Sequence, residues 1–213
     1  MTFDTRWRSP LAHRVPLGSA DTLHLKEQPF VGIVVLRGDA EAIGAAVHAT
    51  LGLSLPRSVG QTAVGQTAAT ADITALWQSP DEWLLLTAPG GQTGVIDRLT
   101  PALDGLHQQI VDVSDYETTI EIAGPATRPA LAKLIALDLH PRAMAAGQAV
   151  ATTLGRSTIR LWLVRDGDAG PLFRLVIRRS HADYVWCLLA EAGREWGLPP
   201  QEPFGLVPLS VAE

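Results

Sequence analysis

The stretch FVGIVVLRGDAEAIGAAVHATLG (30–52) contains the sequence signals of a strand followed by a helix, an order that recurs later in the chain. Its first nine residues are mostly β-branched or aromatic and end at Gly38, a composition typical of a strand. Asp39 is a good N-cap and Gly52 is a good helix stop. Between them, apolar residues recur on one helical face at Ala42, Ile43, Ala46, Val47 and Leu51. The stretch therefore predicts a strand that leads directly into an amphipathic helix.

The same order returns in the second half of the chain. The segment TTIEIAG (118–124) is predicted to be a strand that ends in glycine. Pro125 suits a first helical turn, and ATRPALAKLIAL (126–137) is predicted to be the helix. Each helix is followed by a short segment that ends in proline, LSLP (53–56) in the first half and LDLHP (137–141) in the second.

The remaining elements extend this correspondence. Strands are predicted over 73–79, 82–88, 149–155, 157–166 and 172–180, and helices over 94–105 and 181–197. The stretch 57–72, rich in Gly, Thr, Gln and Ala, is predicted to be a loop. The expected product is an α+β fold of two pseudo-repeated strand–helix–hairpin–helix units. We expect an irregular N-terminal arm (1–28), a first α+β half (29–109), and a second α+β half that includes the C-terminal tail (110–213).

Composition excludes several classes of function. The chain has 213 residues, a net charge of −5 and 18% charged residues, against an average of about 25%. A negative chain is a poor candidate for binding nucleic acid, and a surface short of charge hints at coverage by a partner. Without an N-terminal apolar segment or an apolar run of membrane-spanning length, we expect a cytoplasmic protein that does not enter a membrane. The lone Cys187 fits a reducing compartment and a packed, unreactive role.

LDLHP (137–141) is the most tempting candidate for chemistry. If it is extended, Asp138 and His140 share a face and could form half of a metal site or of an acid–base pair. A metal usually needs three or four ligands, and no second cluster of ligands stands out in the sequence. The counterpart LSLP (53–56) has neither polar group. We therefore predict that Asp138 and His140 are turn or interface groups and that Leu137 and Leu139 are core anchors.

Other motifs have plainer interpretations. PGGQTG (89–94) lacks the spacing of a dinucleotide fingerprint and is predicted to be a flexible turn. In SHAD (180–183), Ser180 is predicted to cap the last helix, with Asp183 completing a capping box. Trp7 and Leu11 give the arm apolar side chains that could dock on a neighbour, so both are interface candidates. We assign no catalytic, cofactor-binding or metal residue, which favours an assembly role over an independent enzyme.

Several segments together resemble the gamma subunits of heterotetrameric sarcosine oxidases over about residues 9–190. The segments are KEQPFVGIVVLRGD (26–39), LGLSLP (51–56), WQSPDEWLLL (77–86), DVSDYETTIEIAGPA (112–126), LDLHPRA (137–143) and FRLVIRRSHADYVWCLL (173–189). The second half is also similar, more distantly, to the folate-binding aminomethyltransferase of the glycine cleavage system.

The resemblance implies a subunit of an enzyme that oxidises sarcosine to glycine, with hydrogen peroxide and formaldehyde or 5,10-methylenetetrahydrofolate as the other products. It implies an aminomethyltransferase-like fold and no cofactor on this chain. The expected partners are alpha, beta and delta subunits that carry FAD, FMN, NAD, zinc and tetrahydrofolate. Two alternatives stay open: a free-standing folate-binding one-carbon transfer protein, and the gamma subunit of a related N-methyl amine oxidase complex.

Overall fold

Two antiparallel β-sheets stack face to face in the computed structural model, which describes residues 8–67 and 70–204. The strands are β1 Leu17–Ser19, β2 Leu23–Gln28, β3 Gly32–Gly38, β4 Thr62–Thr67, β5 Thr70–Ser79, β6 Glu82–Thr87, β7 Gln108–Asp112, β8 Glu117–Ala123, β9 Ala149–Leu154, β10 Ser157–Arg165 and β11 Leu172–Arg178. The helices are α1 Ala40–Leu51, α2 Gly91–Ala102, α3 Thr127–Ala132 and α4 Ala182–Ala192. Single 3₁₀ turns lie directly before α4, at Arg179–His181, and after it, at Arg194–Trp196.

The strand order is β4-β5-β6-β3-β7 in the five-stranded sheet and β1-β2-β8-β11-β10-β9 in the six-stranded sheet. Helices α1 and α2 cover the outer face of the first sheet, and α3 and α4 cover the outer face of the second. Side-chain alternation explains this layering. In β3, Val34 and Leu36 face the helices, whereas Ile33 and Val35 face the other sheet. The chain therefore has three buried layers, two between sheet and helices and one between the sheets.

The helix start and stop predicted from residues 30–52 are confirmed. The Asp39 carboxylate accepts hydrogen bonds from the backbone N–H groups of Glu41 (3.0 Å) and Ala42 (2.9 Å), which satisfies two free donors at the start of α1. Gly52 ends the helix at a φ of 63°, a left-handed conformation that favours glycine. Local chemistry is sufficient to fix both ends of this helix.

The helix predicted over 126–137 is much shorter than expected. Helix α3 ends at Ala132, and the N–H groups of Leu134 and Ile135 both bond back to the Leu131 carbonyl. Burial of Ile135 in the core accompanies this tightened turn. The helix-forming composition is thus overridden by tertiary packing.

The prediction of an irregular arm over 1–28 needs correction, because β1 and β2 lie within it. The LHLKEQ segment of β2 alternates, with Leu23 and Leu25 fully buried, and it pairs with β8. Leu11 is also buried in the core of this chain, so its side chain anchors the arm internally instead of presenting a surface. Trp7 lies outside the described residues.

The loop predicted over 57–72 also contains a strand. Strand β4 pairs antiparallel with β5, with Thr62 opposite Leu76 and Val64 opposite Thr74. Thr and Val are β-branched and suit an outer strand, a preference that outweighs Gly60 before the strand and Gly65 within it. The predicted boundary between residues 109 and 110 likewise falls inside β7, which pairs with β3.

Candidate functional site: the polar layer between the sheets

Strand β8 places polar side chains between the two sheets. Glu117, Thr119 and Glu121 alternate with Ile120 and Ile122, which belong to the core under α3 and α4. All three polar residues are at most 5% exposed. Buried carboxylates are costly unless they are paired and hydrogen-bonded, so their partners determine what this layer can do.

Arg160 on β10 pairs with Glu117 and ties the sheets together. Its Nη1 donates to Glu117 Oε1, and its Nε donates to Gln78 Oε1 on β5 at 2.8 Å. Glu117 Oε2 has no partner among the described residues. Burial raises the pKa of Glu117 above its usual range, and the charges of Arg160 and Arg178 offset this only in part.

Glu121 has three donors. It accepts from Lys26 Nζ at 3.0 Å, Gln28 Nε2 at 3.1 Å and Arg174 Nε at 3.3 Å. The Arg174 guanidinium also lies 5.4 Å from the centre of the Trp162 ring, within cation–π distance. The Glu121 carboxylate is therefore paired by two cations and one amide of the chain itself.

A cavity of about 440 Å³ opens beside Glu121 between the sheets. Its polar lining includes Gln28, Thr119 and Arg174 of the six-stranded sheet and Thr74 and Thr87 of the five-stranded sheet. Its apolar lining includes Val31, Val64, Leu86, Trp162 and Val164. Thr119 Oγ1 and Trp162 Nε1 are buried and have no partner among the described residues. The cavity therefore combines an apolar wall with polar side chains from both sheets.

Our sequence interpretation missed this layer, although a signal was present. The spacing of Glu117, Thr119 and Glu121 at every second position of a strand predicts one polar face. The PGGQTG motif contributes only Pro89 to the cavity wall, and α2 begins at Gly91. No pattern along the chain links Arg160 or Arg174 to these carboxylates, because Arg174 lies on the strand next to β8 and Arg160 lies one strand further, and both are distant in sequence.

Replacing Glu117 with Gln is expected to change how stability depends on pH. A carboxyl with a pKa raised by folding favours the folded state below its unfolded pKa, and that contribution is lost as pH rises through the folded pKa. Urea unfolding between pH 4.5 and pH 8 should therefore show that the free energy of unfolding of Glu117→Gln increases relative to that of the wild type as pH rises. The exposed Glu191→Gln on α4 controls for the lost charge; wild-type and Glu117→Gln curves that stay parallel would contradict the expectation.

The structure places Asp138 and His140 in a turn, which is one of the two roles predicted for them. The His140 N–H donates to Asp138 Oδ1 at 2.9 Å, and the Arg142 N–H donates to His140 Nδ1 at 3.2 Å. Leu139 is buried, but Leu137 is 37% exposed, so its predicted core role is wrong. The turn at Asp138 breaks the extended alternation on which that prediction relied. An interface role for the two polar groups stays a prediction.

Asp183 does not complete a capping box. Its Oδ1 accepts from Arg14 Nη2 at 2.6 Å and lies 2.9 Å from His13 Nε2, and its Oδ2 accepts from the Phe204 N–H at 2.6 Å. Burial raises the pKa of Asp183, but the hydrogen bonds from Phe204, Arg14 and His13 outweigh it and leave that pKa below its usual value. Asp183 thus fastens both terminal segments to α4.

Metal and thiol chemistry find no support in the described residues. Within 8–67 and 70–204, no three His, Cys, Asp or Glu side chains cluster in a way that could hold a metal. Burial raises the pKa of the Cys187 thiol, which favours the protonated and less nucleophilic form. No helix in the described part of the chain is long and apolar enough to cross a membrane.

Two stacked antiparallel sheets covered by outer helices form a fold that is similar to that of an aminomethyltransferase. Aminomethyltransferase T of the glycine cleavage system from Bartonella henselae shares it, with a TM-score of 0.61 over 82% of this chain and 47% of that chain at 12% identity. A chain of the heterotetrameric sarcosine oxidase from Corynebacterium sp. U-96, solved with pyrrole 2-carboxylate, matches with a TM-score of 0.77 at 28% identity. That match covers 92% of this chain and 99% of the other.

The sequence comparisons are more specific. The model of the "Sarcosine oxidase, gamma subunit family" matches residues 37–195. Sarcosine oxidase subunit gamma from Arthrobacter sp. is 39% identical over 160 residues, covering 73% of this chain and 76% of the relative. The subunit from Corynebacterium sp. (strain P-1) is 33% identical, covering 91% and 93%. The chain belongs to the sarcosine oxidase gamma subunit family, which confirms the resemblance found in its motifs.

Proposed function

We propose that this chain is a non-catalytic assembly subunit of a heterotetrameric sarcosine oxidase. The observation that carries the proposal is the family match, which extends over nearly the whole chain in the Corynebacterium relative. The polar layer is consistent with it, because Arg160, Lys26 and Arg174 of this chain already occupy the buried carboxylates Glu117 and Glu121. The assembled enzyme would oxidise sarcosine to glycine, yielding hydrogen peroxide and formaldehyde or 5,10-methylenetetrahydrofolate.

The proposal includes the partners and their cofactors. Alpha, beta and delta subunits would carry FAD, FMN, NAD, zinc and tetrahydrofolate, and the complex would work in the cytoplasm. In this proposal the substrate of the complex is sarcosine, and the N-methyl group of sarcosine is the group that is oxidised. A complex that prefers another N-methyl amine would instead make this chain the gamma subunit of a related oxidase.

Co-expression with the three partner subunits tests the proposal. The purified complex should contain this chain and release hydrogen peroxide with sarcosine, and an assay across N-methyl amino acids identifies the preferred substrate. The chain purified alone should show no flavin absorbance and no oxidase activity. Oxidase activity in the isolated chain would contradict a non-catalytic role, and failure to co-purify with the partners would contradict the assembly role.

His140→Ala should leave sarcosine turnover of the assembled complex within about twofold of wild type, because His140 is exposed and serves a turn. Peroxide release at saturating sarcosine is the measurement, with subunit stoichiometry checked on a denaturing gel. A large loss of turnover at unchanged stoichiometry would show that this side chain has a role in the reaction.

A second candidate function is folate-binding one-carbon transfer by the free chain. The observation in its favour is the cavity between the sheets, whose wall includes Thr119 and Trp162, each with a buried donor that has no partner among the described residues. Calorimetry of the isolated chain with tetrahydrofolate tests it, with Trp162→Phe and Thr119→Val as variants that remove the donors while retaining most of the side-chain volume. Absence of binding to the wild-type chain removes this candidate.

We also propose that the two halves are a pseudo-repeat. The pairing order β4-β5-β6-β3 corresponds element by element to β9-β10-β11-β8, which supports the proposal. The flanking strands are exchanged: β2 precedes the first unit but pairs with β8, and β7 precedes the second unit but pairs with β3. Under this proposal each unit completes the sheet of the other.

A further inference from the structure

Two segments of the sequence contain no charged residue and no histidine. They span 58–71 and 143–155, 14 and 13 residues long. At the chain's overall 18% charged residues, a stretch of that total length would carry about five charges. Within these segments, residues 58–67 and 143–155 are called here the uncharged edge.

Direct contacts join the two segments into one surface. Gly60 and Ala149 form an antiparallel bridge, in which the Ala149 N–H donates to the Gly60 carbonyl at 3.2 Å. The Thr62 hydroxyl donates to the Gly147 carbonyl. The uncharged edge therefore crosses from one sheet to the other without interruption.

The uncharged edge consists largely of outermost strands. Strand β4 is terminal in the five-stranded sheet, and β9 is terminal in the six-stranded sheet. Proteins commonly protect such strands with charged residues, because the outward backbone groups are otherwise open to pairing. Of the two remaining outer strands, β7 carries Asp112 and β1 has only three residues. The unprotected strands are thus concentrated on one side of the molecule.

The side chains on this surface are exposed and mostly small or apolar. Val59 is 70% exposed and Val64 is 58% exposed. The other exposed residues there are Ser58, Gln61, Ala143, Ala145, Ala146, Gly147, Ala151, Thr153 and Gly155. Covering such a surface removes apolar area from water and leaves no charge to desolvate.

We propose that the uncharged edge is the docking surface for a larger subunit of the oxidase complex, which rests on the assembly function proposed above. The partner fits by a likewise uncharged surface, because a charged one would lose its hydration here without gaining an opposite charge. An open strand of the partner can pair with the outward backbone groups of β4. One end of this surface adjoins the Asp138–His140 turn, because the Ala143 N–H donates to the His140 carbonyl at 2.8 Å.

Lysine substitutions in the co-expressed complex test the proposal. Val64→Lys on β4 and Thr153→Lys on β9 each place a charge on the uncharged edge. Val111→Lys is the matched control, since Val111 is also an exposed valine of an outer strand in the β4 sheet, 37% exposed. Recovery of partner subunits on an affinity tag fused to this chain should fall by at least about tenfold with either edge variant and stay near wild type with the control.

Circular dichroism of each isolated variant establishes whether it is folded. If Val64→Lys is unfolded, partner recovery with Thr153→Lys tests the docking surface. Wild-type recovery of partners with a folded edge variant overturns the docking surface while leaving the assembly function intact. A dimer of the isolated chain that Val64→Lys abolishes, with partner recovery unaffected, overturns it in favour of a second copy of this chain. If the wild-type chain itself recovers no partners, the assembly function and the docking surface are both wrong.

Discussion

Replacing Arg160 with Met should lower the free energy of unfolding of the full chain by about 3–5 kcal/mol at pH 8. Arg160 is the cation that pairs with the buried Glu117 carboxylate, and its loss leaves that charge between the sheets without its main partner. The same change removes the hydrogen bond to Gln78 that joins β10 to β5. Urea unfolding followed by tryptophan fluorescence and circular dichroism measures the effect.

The double variant Arg160→Met with Glu117→Gln is the control for this interpretation. Because the second change removes the stranded charge, most of the lost stability should return. The loss in the single variant should also shrink at pH 5, since burial has raised the pKa of Glu117 and the protonated carboxyl needs no cation. An equal loss at both pH values, with no recovery in the double variant, would mean that Arg160 acts through packing and not through charge.

Replacing Trp83 with Ala should lower the free energy of unfolding by about 3–5 kcal/mol. Trp83 on β6 is fully buried beneath α1 and α2. Its indole N–H donates to the Pro56 carbonyl at 2.7 Å, which fixes the LSLP segment to the sheet. The substitution therefore leaves a large cavity and an unpaired buried carbonyl, and thermal or urea unfolding of the full chain measures the loss.

Trp77 provides a matched comparison, because it lies directly opposite Trp83 on β5. Its indole N–H has no partner among the described residues. Trp83→Phe should cost about 1–3 kcal/mol for the orphaned carbonyl, whereas Trp77→Phe removes a donor that was already unpaired and should cost less. Equal losses in the two phenylalanine variants would show that the bond to Pro56 contributes nothing to stability.

Helix α1 and the strand β3 before it could be predicted because their signals are local. Asp39 caps a helix whose first N–H groups are two and three residues away, and Gly52 ends it through its own backbone freedom. The same reasoning was wrong for α3 and for Asp183, where local propensity was outweighed by contacts with distant residues. Arg14 reaches Asp183 across 169 positions of sequence, a separation at which no residue pattern indicates contact.

The candidate site divides in the same way. Alternation in β8 was enough to indicate that Glu117, Thr119 and Glu121 share a face. Whether that face is solvated or buried depended on a second sheet lying against it, and this in turn decided the pKa of Glu117. The uncharged edge follows a similar division: both runs are visible in the sequence, but only the bridge between Gly60 and Ala149 makes them one surface.

By itself, the sequence determined the order of most strands and helices, the caps of α1 and the family, because each of these is encoded by neighbouring residues or by an ordered set of motifs. Tertiary structure alone decided that β2 pairs with β8 and that β7 pairs with β3. It also decided the ion pairs of the polar layer and the placement of β4 and β9 on one side. The physical reason is that periodicity specifies which face of an element is buried, whereas the identity of the partner depends on distant strands competing for the same backbone and side-chain contacts.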